Sequence, residues 1–502
     1  MDGFASSALF IKFMQYINCP IDILIDEGKT HGLTDSLMKQ IIGNYSLVIV
    51  PDAGSNDIEQ HKILHDNNID LIVLDHHEIL SQNVEKLNQY DNSIIINNQL
   101  LGLNKNHTGV GMVYTFLKHV NYYENLNFDI DKHLDLVALG QIGDVSNVAD
   151  KEIRYYVTKG LNNITNPFIK SVMKRKGYNK MTGRDASFSI ISMINAVTRV
   201  GTIEEKRDLI DALTSDSAKT TTVEVRKKNK KTGKFDKIPT EMTYQEIVAK
   251  QCEGIKTKQD KIVKDTIKNI EFLYNGKIIV AVSDDNSPSS INGLIGMKLC
   301  DKYKKPVMVG KFTDDCFSGS IRAQNVDFKF ILTESRLFNF VSGHSQAAGF
   351  SIPVGNLDTL YNYIEDCQFE TSNVHEVDVI TNKPNENDII QVELNKDVLG
   401  GKVEFPLFAY EEIEFNKRCI NKRGSVLSFF DDNVTFVLFN APDGIKEEID
   451  SHIVNNKITM NIVGEPRISK FGNKEQPQIV IKDYEILEVE EDDELGMWGI
   501  DF

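Results

Sequence analysis

The feature that most constrains this chain is a series of short apolar runs near its start, each ending in a polar residue. They are IDILID at 21–26, SLVIVPD at 46–52, IDLIVLD at 69–75 and SIIINN at 93–98. Continuous Val/Ile/Leu runs are typical of strands buried on both faces of a parallel sheet. Segments with helical spacing, such as LTDSLMKQII at 33–42, lie between them. The pattern predicts an α/β domain whose ligands collect at the carboxyl edge of the sheet, where three of the four runs end in Asp.

The rest of the chain divides by composition and periodicity into further predicted domains. Residues 1–150 form the first α/β domain, and a helical connector with a basic loop follows over 151–270. A smaller α/β domain covers 271–370, with a helix predicted for INGLIGMKLCDKY. Short alternating strands over 390–487 indicate a small β-barrel of the oligonucleotide-binding (OB) type. The chain ends in an acidic tail, 488–502.

Cysteine usage indicates a cellular compartment, whereas net charge says little about the binding partners of this protein. The formal charge is −17, but seven acids and no base lie in the tail, whereas RKKNKKTGKFDK at 226–237 is strongly basic. Total charge therefore excludes little about nucleic-acid binding. Six scattered cysteines without a C-x-x-C pair fit neither a disulfide framework nor a zinc site, and indicate a reducing cytoplasm. No apolar run is long enough to cross a bilayer, and no signal segment opens the chain.

The sharpest chemical signal is Asp75-His76-His77, directly after a predicted strand. Carboxylates combined with imidazole suit manganese, magnesium or zinc. Asp52 ends a neighbouring strand, Asp144 follows the apolar run LDLVALGQIG, and Asp2 precedes a predicted helix. Four separated acids and a histidine, each at a predicted strand end or helix start, could form one metal cluster that stabilises charge on a phosphoryl group. For any single Asp the alternative is a helix cap, but two adjacent histidines have no such explanation.

These motifs resemble the DHH phosphoesterase family, and within it the RecJ-like single-strand exonucleases. The resemblance to the catalytic domain rests on DGFASSALF at 2–10, PDAGSND at 51–57, LDHHE at 74–78, GVGMVY at 109–114 and ALGQIGDVSNVAD at 138–150. RYYVTKGL at 154–161 and INAVTRVG at 194–201 are similar to RecJ connecting segments. SGSIR at 318–322 and SGHSQAAGF at 342–350 resemble the DHH-associated domain.

The resemblance implies a role for each matching residue. A two-metal site for Mn²⁺ or Mg²⁺ is expected, in which Asp52 bridges the ions and Asp2, His76 and Asp144 complete one site. His77 would lie near the scissile phosphate, with Asp75 orienting the histidines. From the second α/β domain, Arg322 and His344 would hold a substrate phosphate, since the planar fork of arginine pairs two oxygens. The remaining substrate-binding residues expected on this basis are Ser320, Gly343, Gly349, Asn195 and Arg199.

The first motif departs from the family pattern. The family has an Asp two positions before Asp2, whereas Met1 stands at the middle position of Asp-x-Asp here. The opening strand expected from the resemblance is also missing. One interpretation is a metal site reduced to one ion in a weak or inactive relative. The favoured interpretation is a fragment or a misplaced start, in which case the chain as written binds the second metal poorly.

The predicted barrel favours a long single-stranded DNA substrate over a very short one. Barrels of this type hold single strands with basic and aromatic side chains. The candidates here are Lys422, Arg423, Phe429, Phe430, Phe436 and Phe439. Core packing is the alternative for the four phenylalanines and is favoured by their spacing. The basic run 226–237 could follow a strand's backbone or be a solvated loop.

The sequence thus predicts a metal-dependent single-strand DNA exonuclease of recombination, repair or replication, with 5′-to-3′ polarity implied by resemblance alone. The alternatives are a short-oligonucleotide phosphodiesterase and a catalytically reduced scaffold at a replication fork. The acidic tail could recruit a replication or single-strand-binding protein, although a solubilising tail is favoured. The expected location is the cytoplasm of a bacterium, or of the host if the protein is phage-encoded.

Overall fold

The structure is a computed structural model that describes residues 1–26, 31–100, 102–228, 233, 235–313, 315–369, 375–396, 399, 403–431, 433–441, 444–471 and 474–488. The acidic tail beyond residue 488 and most of the tip of the basic run lie outside these residues. The chain separates into two compact units, Met1–Asn373 and Val374–Phe502. Within the described ranges, no helix is both long and apolar enough to span a bilayer.

The first unit opens with a three-stranded parallel sheet in the order β1-β2-β3. Its strands are β1 (Leu47–Pro51), β2 (Asp70–Asp75) and β3 (Ser93–Asn97). The helices of this part are α1 (Asp2–Tyr16), α2 (Asp35–Ile41), α3 (Ile58–Asp66), α4 (Gly109–Tyr123) and α5 (Leu134–Gly143). The register pairs Pro51 with Leu74 and Asp75 with Asn97, so the three strands end at one edge. The predicted parallel sheet and its polar edge are confirmed.

Two element predictions in this region were wrong. Residues 21–26 do not form a strand: within the described residues this apolar run belongs to no sheet. A cavity of about 960 Å³ lies beside it, lined also by β1 from Leu47 to Pro51. LDLVALGQIG is the helix α5 and not a strand, so Asp144 follows a helix end. Most of α5 is buried on every side, which removes the amphipathic period that distinguishes a helix from a buried strand.

A set of helices connects the first sheet to the second. They are α6 (Lys151–Asn162), α7 (Pro167–Lys176), α8 (Gly183–Asp185), α9 (Ser192–Val200), α10 (Ile203–Thr214) and α11 (Tyr244–Lys268). A π-helical segment, Ala186–Ile191, joins α8 to α9. The predicted basic loop is instead an antiparallel hairpin of β4 (Thr220–Lys228) and β5 (Phe235–Thr243). The β-branched residues of β4, Thr220–Val223 and Val225, carry that strand signal, although the many charged residues nearby favoured a loop prediction.

A six-stranded sheet follows, in the order β10-β11-β9-β8-β7-β6. Its strands are β6 (Glu271–Asn275), β7 (Ile279–Val282), β8 (Val307–Thr313), β9 (Cys316–Arg322), β10 (Phe340–His344) and β11 (Ala347–Pro353). The helices are α12 (Asn292–Tyr303), α13 (Phe328–Glu334) and α14 (Leu357–Asp366). The helix α12 covers the predicted INGLIGMKLCDKY. Separate cores fill the two faces of this sheet, one around Phe317 and Phe350 and the other around Ile279 and Ile295.

The second unit is a seven-stranded sheet in the order β12-β13-β17-β18-β16-β15-β14. Its strands are β12 (Val379–Thr381), β13 (Phe408–Asn416), β14 (Ile420–Arg423), β15 (Val426–Asp431), β16 (Val434–Phe439), β17 (Lys457–Phe471) and β18 (Lys474–Leu487). It also contains α15 (Glu386–Leu394) and α16 (Ile445–Ser451). Among the described residues the outermost strands, β12 and β14, do not pair, so the predicted closed barrel is not confirmed.

Candidate metal centre

The carboxylate of Asp75 organises the end of β2. It is buried and accepts hydrogen bonds from the backbone N–H of His76 at 2.7 Å and of Ser55 at 3.1 Å. It also lies 2.8 Å from Nδ1 of His77. An imidazole nitrogen fixed on a carboxylate leaves the other nitrogen, Nε2, free to face the site. The contact with Asp75 therefore fixes the orientation of the His77 ring.

The ionisation of this pair follows from its geometry. Burial acts to raise the pKa of Asp75, but the hydrogen bonds and charge of His77 outweigh it and hold that pKa well below its usual range. In return, the hydrogen bond to Asp75 raises the pKa of His77. The side chain of His77 is half exposed, so its outer nitrogen can reach a ligand.

Asp2 is held by the N-terminus of α4, far away in the sequence. Its carboxylate accepts hydrogen bonds from the backbone N–H groups of Gly109 at 2.6 Å and Val110 at 3.1 Å. The hydroxyl of Thr108 donates a third at 3.0 Å. The first N–H groups of a helix have no partner within the helix and attract negative charge. Asp2 is thus fixed in the site by a helix end.

Asp52 follows β1 in a left-handed backbone conformation, with φ of 64°. Asp tolerates this region better than most residues. Its side chain packs closely against α4, because a Cβ atom on Gly109 would lie only 2.4 Å from Oδ1 of Asp52. Gly109 is therefore required for the close approach of α4 to this carboxylate.

Three of the four predicted acids lie close to the ring of His76, whereas the fourth, Asp75, contacts His77. Nε2 of His76 lies 3.2 Å from Oδ1 of Asp52, 3.6 Å from Oδ2 of Asp144 and 3.9 Å from Oδ2 of Asp2. The ring of His77 lies 4.5 Å from that of His76, centroid to centroid. Asp52, His76 and His77 also offer ligand atoms within 4.8 Å of one another, which is a geometry suited to one metal ion.

The electrostatics of the cluster fit a bound cation. Burial, and next the negative charge of Asp2, raise the pKa of Asp52 well above its usual range and that of Asp144 above its own. Oδ1 of Asp52 and Nε2 of His76 are buried without a hydrogen bond in the described structure. Buried polar atoms that lack partners are costly, and a divalent ion between them would satisfy both. Oxygen and imidazole ligands suit manganese or magnesium.

Three residues of the site were missed at the sequence level. Asn97 ends β3 beside Asp75 and donates to the carbonyl of His77 at 3.0 Å and to the hydroxyl of Ser55 at 2.9 Å. Thr108 binds Asp2, and the ring of His31 lies 6.3 Å from that of His77. The available signals were the polar end of SIIINN and the glycines of GVGMVY, whose roles depend on contacts distant in sequence.

The substrate-binding residues predicted in the second sheet lie mainly on three adjacent strands. Ser320 is on β9 and pairs with Gly349 on β11, while Gly343 and His344 end β10. Gly343 has φ of 134°, a conformation that requires glycine. A Cβ on Gly349 would meet only ordinary contacts, so the fold itself does not require glycine there. The charge of His344 acts on Asp144, which places this histidine near the metal cluster.

Arg199 lines the same cavity as Asp52 and Asp144, and it lies close enough to Arg322 for their charges to interact. Burial lowers the pKa of both Arg199 and Arg322, and the charge of Arg322 lowers that of Arg199 further. Within the described part of the chain neither guanidinium has a carboxylate partner. Asn195, one turn before Arg199 on α9, accepts a hydrogen bond from the backbone amine of Met1 at 2.8 Å. Partly buried cations without a carboxylate partner favour the binding of an anion.

Comparison with known proteins agrees with this geometry. Residues 1–141 match the model of the DHH family, N-terminal domain. The chain is 30% identical to the putative SPbeta prophage-derived single-strand DNA-specific exonuclease YorK of Bacillus subtilis (strain 168), over 97% of this chain and 86% of that protein. It is 23% identical to the single-stranded-DNA-specific exonuclease RecJ of B. subtilis (strain 168), over 97% of this chain and 60% of RecJ.

The fold leads to the same group. The structure of RecJ from Thermus thermophilus in complex with Mn²⁺ superposes with a TM-score of 0.72 at 15% identity, over 97% of this chain and 68% of that one. A second structure of the same protein, in complex with Mg²⁺, gives a TM-score of 0.65 at 15% identity, over 97% and 66%. With its DHH motif at the end of β2 and its relationship to YorK, the chain belongs to the DHH family and is RecJ-like.

Proposed function

We propose that this protein is a metal-dependent exonuclease that hydrolyses phosphodiester bonds of single-stranded DNA. The observation that carries the proposal is the convergence of Asp2, Asp52 and Asp144 on Nε2 of His76, within 3.9 Å. The printed names of YorK and RecJ, both single-strand DNA-specific exonucleases, support the substrate. The 5′-to-3′ polarity and a role in recombination, repair or replication are part of the proposal and rest on resemblance to RecJ.

The proposed cofactor is Mn²⁺ or Mg²⁺, in a two-metal site with Asp52 as the bridging ligand. Asp2, His76 and Asp144 would complete one of the two sites. A bound divalent ion supplies Lewis-acid stabilisation of phosphate charge and lowers the pKa of water. The two RecJ structures in complex with Mn²⁺ and Mg²⁺ support this choice.

The chain's own residues would position the substrate around this centre. Arg199 and Arg322 would hold phosphate oxygens, because neither guanidinium has a carboxylate partner within the described residues. His344 at the end of β10 would contribute a hydrogen bond. Ser320 and the backbone near Gly343 would add hydrogen bonds. Asn195 would hold the strand beside Arg199. His77, fixed by Asp75, would face the scissile phosphate.

We further propose that the sheet of the second unit is an OB-like barrel. β13 and β14 are separated by only three residues, Lys417–Cys419, so they can act as two halves of one bent strand. One half pairs with β17 and the other with β15, which would link both ends of the strand order β17-β18-β16-β15. The parallel pairing of β16 with β18 and the helix α16 before β17 are consistent with this topology.

The exposed aromatic residues of this sheet support a contact with single strands. Phe429 and Phe436 are buried in its core, as their spacing favoured, whereas Phe430 and Phe439 are 41% and 47% exposed. Strand pairing places both exposed rings and Arg423 on one face of β14, β15 and β16. Lys422 lies on the opposite face.

Six unpaired cysteines are consistent with the cytoplasmic location that the sequence predicts.

The test is release of nucleotides from end-labelled single-stranded DNA with Mn²⁺, with a matched duplex as the control substrate. The His76→Ala and Asp144→Ala double variant should lose the activity while remaining folded by circular dichroism. Absence of nucleotide release by the wild type, or equal release by the double variant, would refute the proposal. Faster turnover of dinucleotides than of long strands would instead indicate the short-oligonucleotide phosphodiesterase.

A further inference from the structure

The hairpin of β4 and β5 is a largely exposed element of the first unit that contributes no residue to the metal centre. Its nine-residue strands pair from Thr220 with Thr243 to Lys228 with Phe235. In β5, Met242 is the one buried residue. The hairpin connects α10 to α11, and α11 packs along α9, which carries Asn195 and Arg199. It therefore extends from the helices beside the proposed substrate site.

A ribbon of two strands gains little stability from the rest of the unit. Isolated two-stranded hairpins are marginally stable in water, and this one leaves apolar side chains uncovered. Phe235 is 67% exposed and Ile238 is 40% exposed. A ligand that covers such a ribbon would stabilise it by mass action.

Strand register places three exposed side chains on one face. Arg226 lies directly opposite Lys237, and Phe235 is two residues before Lys237, so all three point to the same side of the ribbon. We call Arg226, Phe235 and Lys237 the basic ribbon face. Lys237 contacts Glu224 at 2.8 Å, but both side chains are exposed, so this ion pair contributes little.

The sequence concentrates positive charge in the same segment. Residues 226–237 contain seven basic residues and one acid, in a chain whose formal charge is −17. Residues 229–232 and 234 lie outside the described structure and enter only through their charge in the sequence. A local positive field on an acidic protein attracts a polyanion, and an exposed aromatic ring between cations suits a nucleobase.

We propose that the basic ribbon face binds single-stranded DNA away from the metal centre and tethers the substrate. This inference rests on the proposed function and adds a second contact site to it. Arg226 and Lys237 would pair with successive phosphates, while Phe235 stacks on a base. The affinity for DNA strands too short to reach from the metal centre to the ribbon would not be increased by this contact.

The experiment measures binding of labelled oligothymidine by fluorescence anisotropy over a range of salt concentrations, with EDTA present to prevent cleavage. The variant is Arg226→Ala, Phe235→Ala and Lys237→Ala combined. We expect at least about tenfold weaker binding of a strand of about thirty nucleotides. The slope of log K against log salt should decrease in magnitude by about 0.7 for each cation removed. Cleavage of a strand of about four nucleotides should be unchanged.

A matched control removes two exposed lysines of α11 and an exposed phenylalanine of α13, through Lys258→Ala, Lys264→Ala and Phe330→Ala. An equal loss of slope in this control, or no loss in the ribbon variant, would overturn the inference. Unchanged DNA binding together with lost binding of an acidic peptide would also overturn it and assign the ribbon to a protein partner. Absence of DNA cleavage by the wild type would count against the proposed function alone, because binding is measured without metal.

Discussion

At the scale of single residues, His76 is the side chain around which the carboxylates of the candidate metal centre are arranged. Its Nε2 faces three carboxylates and has no hydrogen bond within the described structure. We therefore expect His76→Ala to weaken Mn²⁺ binding by more than about 100-fold. Isothermal titration calorimetry measures this directly. The control is His65→Ala, at a partly exposed histidine of α3 that contacts Asn92 and Tyr90. Equal Mn²⁺ affinity in the two variants would contradict the assignment.

Asp75 makes a different prediction because it touches the site through other residues. Its carboxylate accepts hydrogen bonds from the backbone of His76 and Ser55 and from the ring of His77. Asp75→Asn keeps the shape but loses the charge that orients His77. We expect kcat on single-stranded DNA to fall by about 10- to 100-fold with little change in KM. Restoration of activity in Asp75→Glu would support a positioning role, whereas a change in KM alone would argue against it.

Sequence motifs singled out the acids and histidines that the fold brings close together. Asp52, His76 and Asp144 each follow an apolar run, which is a local signal. Thr108 could not be found in this way, because its role is a hydrogen bond to a residue 106 positions earlier. The proximity of Arg199 and Arg322 could not be found from the sequence either, because it depends on how α9 and β9 pack.

At the scale of secondary-structure elements, the approach of α4 to the metal centre depends on Gly109. A side chain there would collide with Asp52, because its Cβ would lie 2.4 Å from Oδ1. We expect Gly109→Ala to weaken Mn²⁺ binding and to lower the melting temperature. Gly254→Ala is the matched control, since Gly254 lies in α11 with open space around it. The free energy of unfolding of the Gly254→Ala variant should rise by up to about 1 kcal/mol, because alanine has a higher helix propensity than glycine.

The turn that precedes α5 predicts a pH-dependent stability. His133 is buried there against Phe128, and burial, with the nearby charge of Lys12, lowers its pKa from 6.5 to about 4. Below pH 6.5 the unfolded chain binds a proton that the folded protein takes up only near pH 4. Folding stability should therefore fall over this interval, by about 3 kcal/mol from this group.

Urea unfolding at about pH 7 and about pH 4.5 tests this expectation. His133→Phe should reduce the acid sensitivity, because phenylalanine can stack on Phe128 without titrating. The control is His119→Phe, at an exposed position of α4. Equal acid sensitivity in His133→Phe and the wild type would contradict the assigned cause.

Element types were predicted best where the neighbours of an element are local. The strands β1, β2 and β3 form as expected, whereas the similar run at 21–26 does not, because a strand requires a partner. The helix α5 was misread as a strand because it is buried on all sides. Pairing and burial depend on the whole fold and are absent from a local pattern.

At the scale of the whole molecule, the chain combines a unit that carries the chemistry with a unit built of strands. The order of element types, from parallel strands through helices to a strand-rich second unit, matches the succession of periodicities in the sequence. Closure of the last sheet did not follow, since it depends on whether the ends of a sheet meet. Which aromatic residues lie in the core and which on the surface did not follow either, because that depends on the pairing register of the strands.

The division of aromatic residues between core and surface gives a prediction for the second unit. Phe429 and Phe436 lie in its core, whereas Phe430 and Phe439 are exposed on one face. Phe429→Ala and Phe436→Ala should each destabilise the unit by about 3–5 kcal/mol, because each leaves a cavity. Phe430→Ala and Phe439→Ala should change stability by less than about 0.5 kcal/mol.

The exposed pair should act on DNA instead. Each lost ring should weaken binding of a long single strand by about 1–3 kcal/mol, since stacking on a base is lost. Thermal unfolding and fluorescence anisotropy on all four single variants measure the two effects separately. If the exposed substitutions leave DNA affinity unchanged while the protein remains folded, this face does not contact the strand. The metal centre would then act on DNA held by the first unit alone, through Arg199, Arg322 and the basic ribbon face.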